Sequence, residues 1–243
     1  MYASKIIKVN ATRSTNDKVK MLIKSKKIKS GDIIVAKYQY KGRGQHTNKW
    51  YSSHGKNLLC SMLYRHLDLN INQVFSINQV VSLAVLKTIR KFNKEKCLIK
   101  WPNDILSVNK KISGILIENL YRGRKLMGSI IGIGINVNQK TFPKNFNAIS
   151  MKTITSRTFS LKKLLYNFLK IFNENLLLYR DYDLLISDFN DSLYRKNQLI
   201  EYEINGNIKK GKIIGLNDKE RFHILNLSGV KETPKISDVK IIY

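Results

Sequence analysis

Between Lys110 and Asn138 the chain carries two long runs of strand composition, Lys110-Lys-Ile-Ser-Gly-Ile-Leu-Ile-Glu-Asn-Leu120 and Leu126-Met-Gly-Ser-Ile-Ile-Gly-Ile-Gly-Ile-Asn-Val-Asn138. Both are rich in isoleucine, and Tyr121-Arg-Gly-Arg-Lys125 between them reads as a hairpin turn. Two strands of this length joined by so short a turn commit the chain to a sheet with an antiparallel pair inside it. The second run also carries Gly128, Gly132 and Gly134. Glycine in a strand gives up side-chain packing and marks the close approach of another backbone or of something flat. A ligand lying across this strand is the functional form of that expectation.

The remaining elements are arranged around this pair. Asp32-Ile-Ile-Val-Ala36 reads as a buried strand and Gly55–Tyr64 as a second. From Val74 to Phe92, apolar residues at 74, 77, 80, 81, 84, 85 and 89 give the stripe of an amphipathic helix. Cys97-Leu-Ile-Lys100 is a short strand running into Trp101-Pro102, with Asn103-Asp104 as turn chemistry behind it. Leu161 to Tyr179 is helical, with Leu164, Leu165, Phe168, Leu169, Phe172 and Leu176 on one face, and a second helical stretch continues to about Arg195. Past Lys196 the texture changes to short alternating segments at Leu199–Ile204, Ile208–Ile214, Phe222–Leu227 and Val239–Tyr243. Asn205-Gly206, Asn217-Asp218 and Ser228-Gly229 punctuate them, and the tail reads as a small β-barrel. The expected architecture is therefore α+β: residues 1–195 form a mixed sheet with flanking helices, and residues 196–243 a small barrel.

Forty-four Lys and Arg against 17 Asp and Glu give a formal charge of +27, which favours anionic partners, nucleic acid first among them. Yet the lysines are spread along the whole chain, and only Lys24-Ser-Lys-Lys-Ile-Lys29 is dense. A selected nucleic-acid surface would interleave such clusters with stacking aromatics. A basic nucleic-acid-binding protein is thus the second reading, behind compositional bias. Cys60 and Cys97 lie in apolar runs without metal-ligand spacing and read as buried thiols of a reducing, cytoplasmic protein. No signal peptide is visible at the start of the chain. No apolar run reaches the ~20 residues needed to span a membrane.

Three stretches carry the chemistry. Lys37-Tyr-Gln-Tyr-Lys-Gly-Arg-Gly-Gln-His-Thr-Asn-Lys-Trp50 begins where a strand ends; its glycines let backbone approach an anion, and Arg43 offers a guanidinium to two oxygens at once. Ser14-Thr-Asn-Asp17 precedes a helical stripe at Val19, Leu22 and Ile23, so Ser14 or Thr15 reads as an N-cap or as a hydroxyl presented to a polar ligand head. Asp104 is either a turn residue bonding its own backbone or a carboxylate held ready for a ligand.

Taken together, Gly42-Arg-Gly44 with Trp50, Lys100-Trp-Pro-Asn-Asp104, Lys111 with Gly114-Ile-Leu-Ile-Glu118, and Gly132-Ile-Gly-Ile-Asn136 resemble biotin–protein ligase, also called biotin–[acetyl-CoA-carboxylase] ligase. Order and spacing agree over about residues 10 to 140. The resemblance implies a class II aminoacyl-tRNA synthetase-like catalytic domain followed by an SH3-like barrel. It further implies ATP-dependent activation of biotin to biotinyl-5′-AMP, with Mg²⁺, and transfer to a lysine of a biotin carboxyl carrier protein. Biotin contacts are then expected at Ser14, Thr15, Asn16, Gln39, Gly42, Arg43, Gly44, Gln45, Lys111 and Gly114. Adenylate contacts are expected at Arg43, Trp50, Asn103, Lys111 and Asn136, with Trp50 on a loop closing over the nucleotide. Lys111 and Arg43 bring two anions together, Asp104 orients the substrate lysine or Mg²⁺, and no protein-held metal is expected. The motifs begin near the start of the chain, so it resembles members lacking an N-terminal DNA-binding domain, and no specific DNA binding is expected. A lipoate–protein ligase of the same fold is the nearest alternative, and an exposed sheet edge makes a homodimer possible. Two departures stand out. Where relatives often continue Arg-x-Gly-Arg after the Gly-Arg-Gly core, this chain has Gln45, His46, Thr47 and Asn48, leaving Arg43 as the loop's phosphate cation. The tail reads Ile236-Ser-Asp-Val-Lys240 where relatives often have Ser-Gly-Glu-Val.

Overall fold

The two long runs form strands β6 (Lys110–Arg122) and β7 (Lys125–Ile135), paired antiparallel around a turn in which Gly123 has φ +58°. They sit inside a seven-stranded mixed sheet with β1 (Ile6–Thr12), β2 (Ile33–Gln39), β3 (Leu58–Tyr64), β4 (Cys97–Lys100) and β5 (Asp104–Ser107). The spatial order is β1-β2-β3-β7-β6-β5-β4, and only β1 and β2 run parallel. The computed structural model describes residues 5–45, 48–65, 75–93, 95–217 and 221–242. The expectations placed on the first residues, His46, Thr47, Val74, Asp218 and Tyr243 lie outside the described residues.

Alternation along the strands divides the sheet into two faces. Ile33, Leu58, Cys60, Met62, Ile131, Ile133 and Ile135 pack into the main core with helices α2 (Ser76–Arg90) and α4 (Leu161–Leu178). The opposite residues Ile34, Leu63 and Ile130 meet Val19 of helix α1 (Thr15–Lys24). Because α1 covers only part of its face, the rest of that face is left to form a cavity. Helix α5 (Tyr182–Asp191) was expected as the second helical stretch; the short α3 (Met151–Thr155), capped by Ser150, was not. Both cysteines are buried and unpaired, and burial pushes the Cys60 thiol up to about 12.

Three sequence expectations change. Asp104 is not in the turn after Trp101-Pro102 but opens β5, where its backbone pairs across to Gly114. Ser14 is the N-cap residue of α1 but makes no side-chain cap; the Gln39 Oε1 accepts from the Thr15 backbone N–H at 2.7 Å instead. The tail strands β8 (Leu199–Ile204), β9 (Asn207–Leu216), β10 (Phe222–Asn226), β11 (Lys231–Glu232) and β12 (Val239–Ile242) form an open antiparallel sheet in the order β11-β10-β9-β8-β12, not a closed barrel. Among the described residues the two-residue edge strand β11 pairs with β10 and β12 with β8, and the two edges are not joined. Trp101 ties the two sheets together, its ring 4.7 Å from Phe75 and 4.8 Å from Phe222, centroid to centroid. The Asn190 amide adds two hydrogen bonds to the Leu216 backbone, at 2.7 and 2.9 Å. Among the described residues no helix is long and apolar enough to cross a membrane.

Candidate active site

Strand register builds the floor of the cavity. Gly114 of β6 lies opposite Gly134 of β7, Leu116 opposite Gly132, and Gly132 opposite Ser61 of β3. The paired glycines leave a flat, side-chain-free patch, and the Trp50 indole lies on it: a Cβ added at Gly134 would sit 2.5 Å from Trp50 Cε2, and one at Gly114 would sit 2.9 Å from Cζ3. Beside it, the Asn16 amide covers Gly132 so closely that no Cβ fits there. The flat objects expected on these glycines are thus an indole and an amide of the protein itself.

The polar end is assembled from the start of α1 and the end of β2. Ser14, Thr15 and Asn16 are buried, although polar, and Gln39 accepts from the Thr15 hydroxyl at 3.0 Å. Ser61 Oγ lies 2.6 Å from Thr15 Oγ1 and 2.5 Å from Asn16 Oδ1. Asn16 Nδ2 donates to Leu116 O at 3.2 Å and to Glu118 Oε2 at 2.8 Å. Thr15, Asn16, Gln39 and Ser61 are each oriented by another of the four, which is how a cluster of buried dipoles avoids the cost of unmet hydrogen bonds.

The cationic end comes from the glycine loop and β6. The loop folds as a narrow hairpin, with Gly44 N–H donating to Asn48 O at 2.7 Å and Trp50 N–H to Gly42 O at 3.0 Å. A Cβ at Gly42 would meet Trp50 O at 2.5 Å, so glycine is needed there for the two limbs to pass. The Gly44 amide, expected to face an anion, is used inside the loop. Lys111 Nζ lies 2.6 Å from Asp104 Oδ1, an ion contact not aligned as a hydrogen bond, and 5.6 Å from the Trp50 ring centre, within cation–π range. Arg43 Nη2 reaches Asp17 Oδ1 at 2.7 Å and Glu118 Oε2 at 3.1 Å. Burial alone would raise the Glu118 pKa; hydrogen bonds from Lys20 and Asn16 and the charge of Arg43 outweigh it and hold the carboxyl below the ordinary glutamate value.

Ser14, Thr15, Asn16, Gln39, Arg43, Gly44, Trp50, Asn103, Lys111 and Gly114 all line this one cavity, together with Gly132 and Gly134. With the indole in place its volume is about 40 Å³, room for a few waters and no more. Gln45 is not brought to it: it faces Trp101, Pro102, Glu203 and Asp238 in a cleft against the second sheet. Asn136 lies behind Lys111, donating to Lys111 O at 3.3 Å, and its Oδ1 is buried without a partner. On the outer side of Lys111 and Asp104 opens a cleft of about 690 Å³ carrying Lys49, Lys100 and Arg195. Sequence reasoning did not single out Asp17, Lys20, Ser61 or Glu118 as members of the site. For Glu118 a signal existed: it shares strand parity with Gly114 and Leu116, and so faces the same side.

The comparisons agree with this geometry. Residues 9–136 match the model of the biotin/lipoate A/B protein ligase family. The chain is 36% identical over 110 residues to the bifunctional ligase/repressor BirA of Escherichia coli, covering 45% of this chain and 34% of that protein. It is 36% identical over 126 residues to biotin–protein ligase 2 of Arabidopsis thaliana, covering 49% of this chain and 37% of that protein. The matched segment thus spans about a third of the length of these curated relatives. Among solved structures, the biotin protein ligase of Aquifex aeolicus in complex with biotin and ATP superposes with a TM-score of 0.83 at 26% identity, covering 98% of this chain and 99% of that one. The family match takes in α1, the glycine loop, Lys111 and Gly114, from which the cavity is built, and also Asp104 and Asn136 beside it. On that match the chain belongs to the biotin/lipoate A/B protein ligase family.

Proposed function

We propose that this protein joins biotin to ATP, forming biotinyl-5′-AMP and releasing pyrophosphate, and then passes the biotinyl group to a lysine of a biotin carboxyl carrier protein. In the first step a carboxylate oxygen bonds to the α-phosphorus as the bond to pyrophosphate breaks. In the second the lysine nitrogen bonds to the acyl carbon and AMP leaves. The observation that carries the reading is the placement of Arg43 and Lys111 on one cavity whose other end is the oriented cluster Ser14, Thr15, Asn16 and Gln39. Two anions repel each other, and cations fixed between them supply both the neutralisation and the alignment that the first step needs. A ureido head, which both donates and accepts, suits the hydroxyl and amide cluster.

For the acid to enter, the Trp50 indole has to leave Gly134 and Gly114, and once clear of that floor it is free to cover the nucleotide. The unpartnered Asn136 Oδ1 suits an adenine amino group, and Lys49, Lys100 and Arg195 suit the triphosphate. Mg²⁺ is read as arriving on the phosphates of ATP, as part of the substrate. We read residues 1–195 as the catalytic unit and the sheet within 196–243 as a smaller unit held against it by Trp101.

The test is pyrophosphate release from ATP-Mg²⁺ with biotin, with lipoate and with neither, in the absence of carrier. Release with biotin alone is expected, and Lys111→Ala should abolish most of it while leaving cooperative unfolding unchanged. Release with lipoate in preference, or with no acid, overturns the reading.

A further inference from the structure

Among the described residues, the hydrogen bonds that hold the Arg43 guanidinium converge on one nitrogen. Nη2 takes both carboxylates, Asp17 Oδ1 at 2.7 Å and the two Glu118 oxygens at 3.1 and 3.2 Å, while the buried Nε has no hydrogen-bond partner. The two carboxylates come from opposite walls, Asp17 from the first turn of α1 and Glu118 from the middle of β6. Each is anchored in turn: Arg13 Nε lies 3.5 Å from Asp17 Oδ2, while Lys20 Nζ and Asn16 Nδ2 each donate to Glu118 at 2.8 Å. Asn16 is itself held to Leu116 O on the sheet. A continuous chain of charge-assisted contacts therefore runs from the sheet and α1 out to the tip of the glycine loop.

We infer that Asp17 and Glu118 are positioning residues that clamp Arg43 by Nη2 and so hold its guanidinium at the cavity where the anions of the acyl-adenylate reaction would meet. This rests on the reading above. Two features favour positioning over simple neutralisation. First, the cluster is not neutral: Arg13, Lys20 and Arg43 against Asp17 and Glu118 leave one positive charge, so an incoming anion is still attracted. Second, the two carboxylates grip a single nitrogen, Nη2, from opposite walls, which fixes the direction of the guanidinium as well as its charge, on a side chain that lines the cavity. Among the described residues of the loop, the backbone bonds close the hairpin around Arg43 and none reaches its guanidinium.

Two measurements on the full chain decide it. Adenylation is followed as pyrophosphate release for Glu118→Ala, Glu118→Gln, Arg43→Ala and the Arg43→Ala/Glu118→Ala double variant. Losing the clamp should lower kcat/KM on the order of tenfold to a hundredfold, the scale of an ångström of misplacement. Glu118→Gln, which keeps an acceptor at the same place, should recover most of the loss. In the Arg43→Ala background Glu118→Ala should cost nothing further, the mark of two residues acting as one unit. Additive losses, or no rescue by glutamine, overturn the inference. Independently, and with no substrate, amide exchange at Gly44 and Trp50 should quicken in Asp17→Ala/Glu118→Ala, because the clamp no longer holds the hairpin. Unchanged exchange overturns it too. A wild type that releases no pyrophosphate refutes the ligase reading, whereas quickened exchange in that case leaves the clamp standing as a property of the loop.

Discussion

Gly134→Ala, made in a Trp101→Phe background so that Trp50 is the single remaining indole, tests whether the cavity floor is as tight as its geometry says. The added methyl would lie 2.5 Å from Trp50 Cε2 and 2.6 Å from Cζ2, against the 3.4 Å at which ordinary contact begins. The ring must retreat by close to an ångström, and it cannot sink, because Gly134 belongs to a strand hydrogen-bonded on both sides. Overpacking of this kind costs about 1–3 kcal/mol. For a chain of this length each kcal/mol lowers Tm by about 2–4 °C, giving a fall of roughly 2–12 °C. The sign is the informative part. An unobstructed glycine replaced by alanine gains about 0.4–1 kcal/mol through the unfolded chain, so only a real obstruction turns the change into a loss. Thermal unfolding reads the loss, and the Trp50 emission should shift to the red as the indole moves toward water. An unchanged or raised Tm with an unshifted emission maximum would refute the placement of Trp50 on Gly134.

Trp101→Ala should cost about 3–5 kcal/mol in denaturant unfolding, because it empties the space between Phe75 and Phe222; a loss below about 1 kcal/mol would show that this aromatic contact does not join the two sheets. The depressed Glu118 carboxyl stabilises the fold above the ordinary glutamate value of 4.5, and that contribution is lost as pH falls through its lower folded value. The Tm difference between wild type and Glu118→Gln should therefore hold steady from neutrality to about pH 5 and close in acid; a difference that widens there would contradict the assignment.

Much of the site was legible because its residues are local and their spacing is informative. The β6–β7 hairpin follows from two long isoleucine-rich runs and a turn of five residues, and strand alternation then assigns every second residue to one face. The glycines at 132 and 134 announced close approach for the reason that they contact Asn16 and Trp50. Ser14–Asn16, Arg43, Gly44, Asn103 and Lys111, singled out by their motifs, line one cavity, while Gly42 lies outside its lining. What remained hidden is whatever depends on partners far away in the chain. Arg43 meets Asp17 and Glu118 across 26 and 75 residues; strand parity puts Glu118 on the cavity side, but nothing local pairs either carboxylate with Arg43. Gln45 is next to Gly44 yet faces the second sheet, because the hairpin turns its limb away from the cavity. The tail strands were visible, but whether they close is a matter of how far β11 extends and which edge it meets. The sequence by itself determined the elements, their buried faces and the chemical types available to the site, since periodicity and turn chemistry act within a few residues. Only the tertiary structure decided which side chain fills the floor, which charges hold Arg43 and whether the small sheet joins its edges, because those follow from strand register and from pairings between segments that local sequence does not encode.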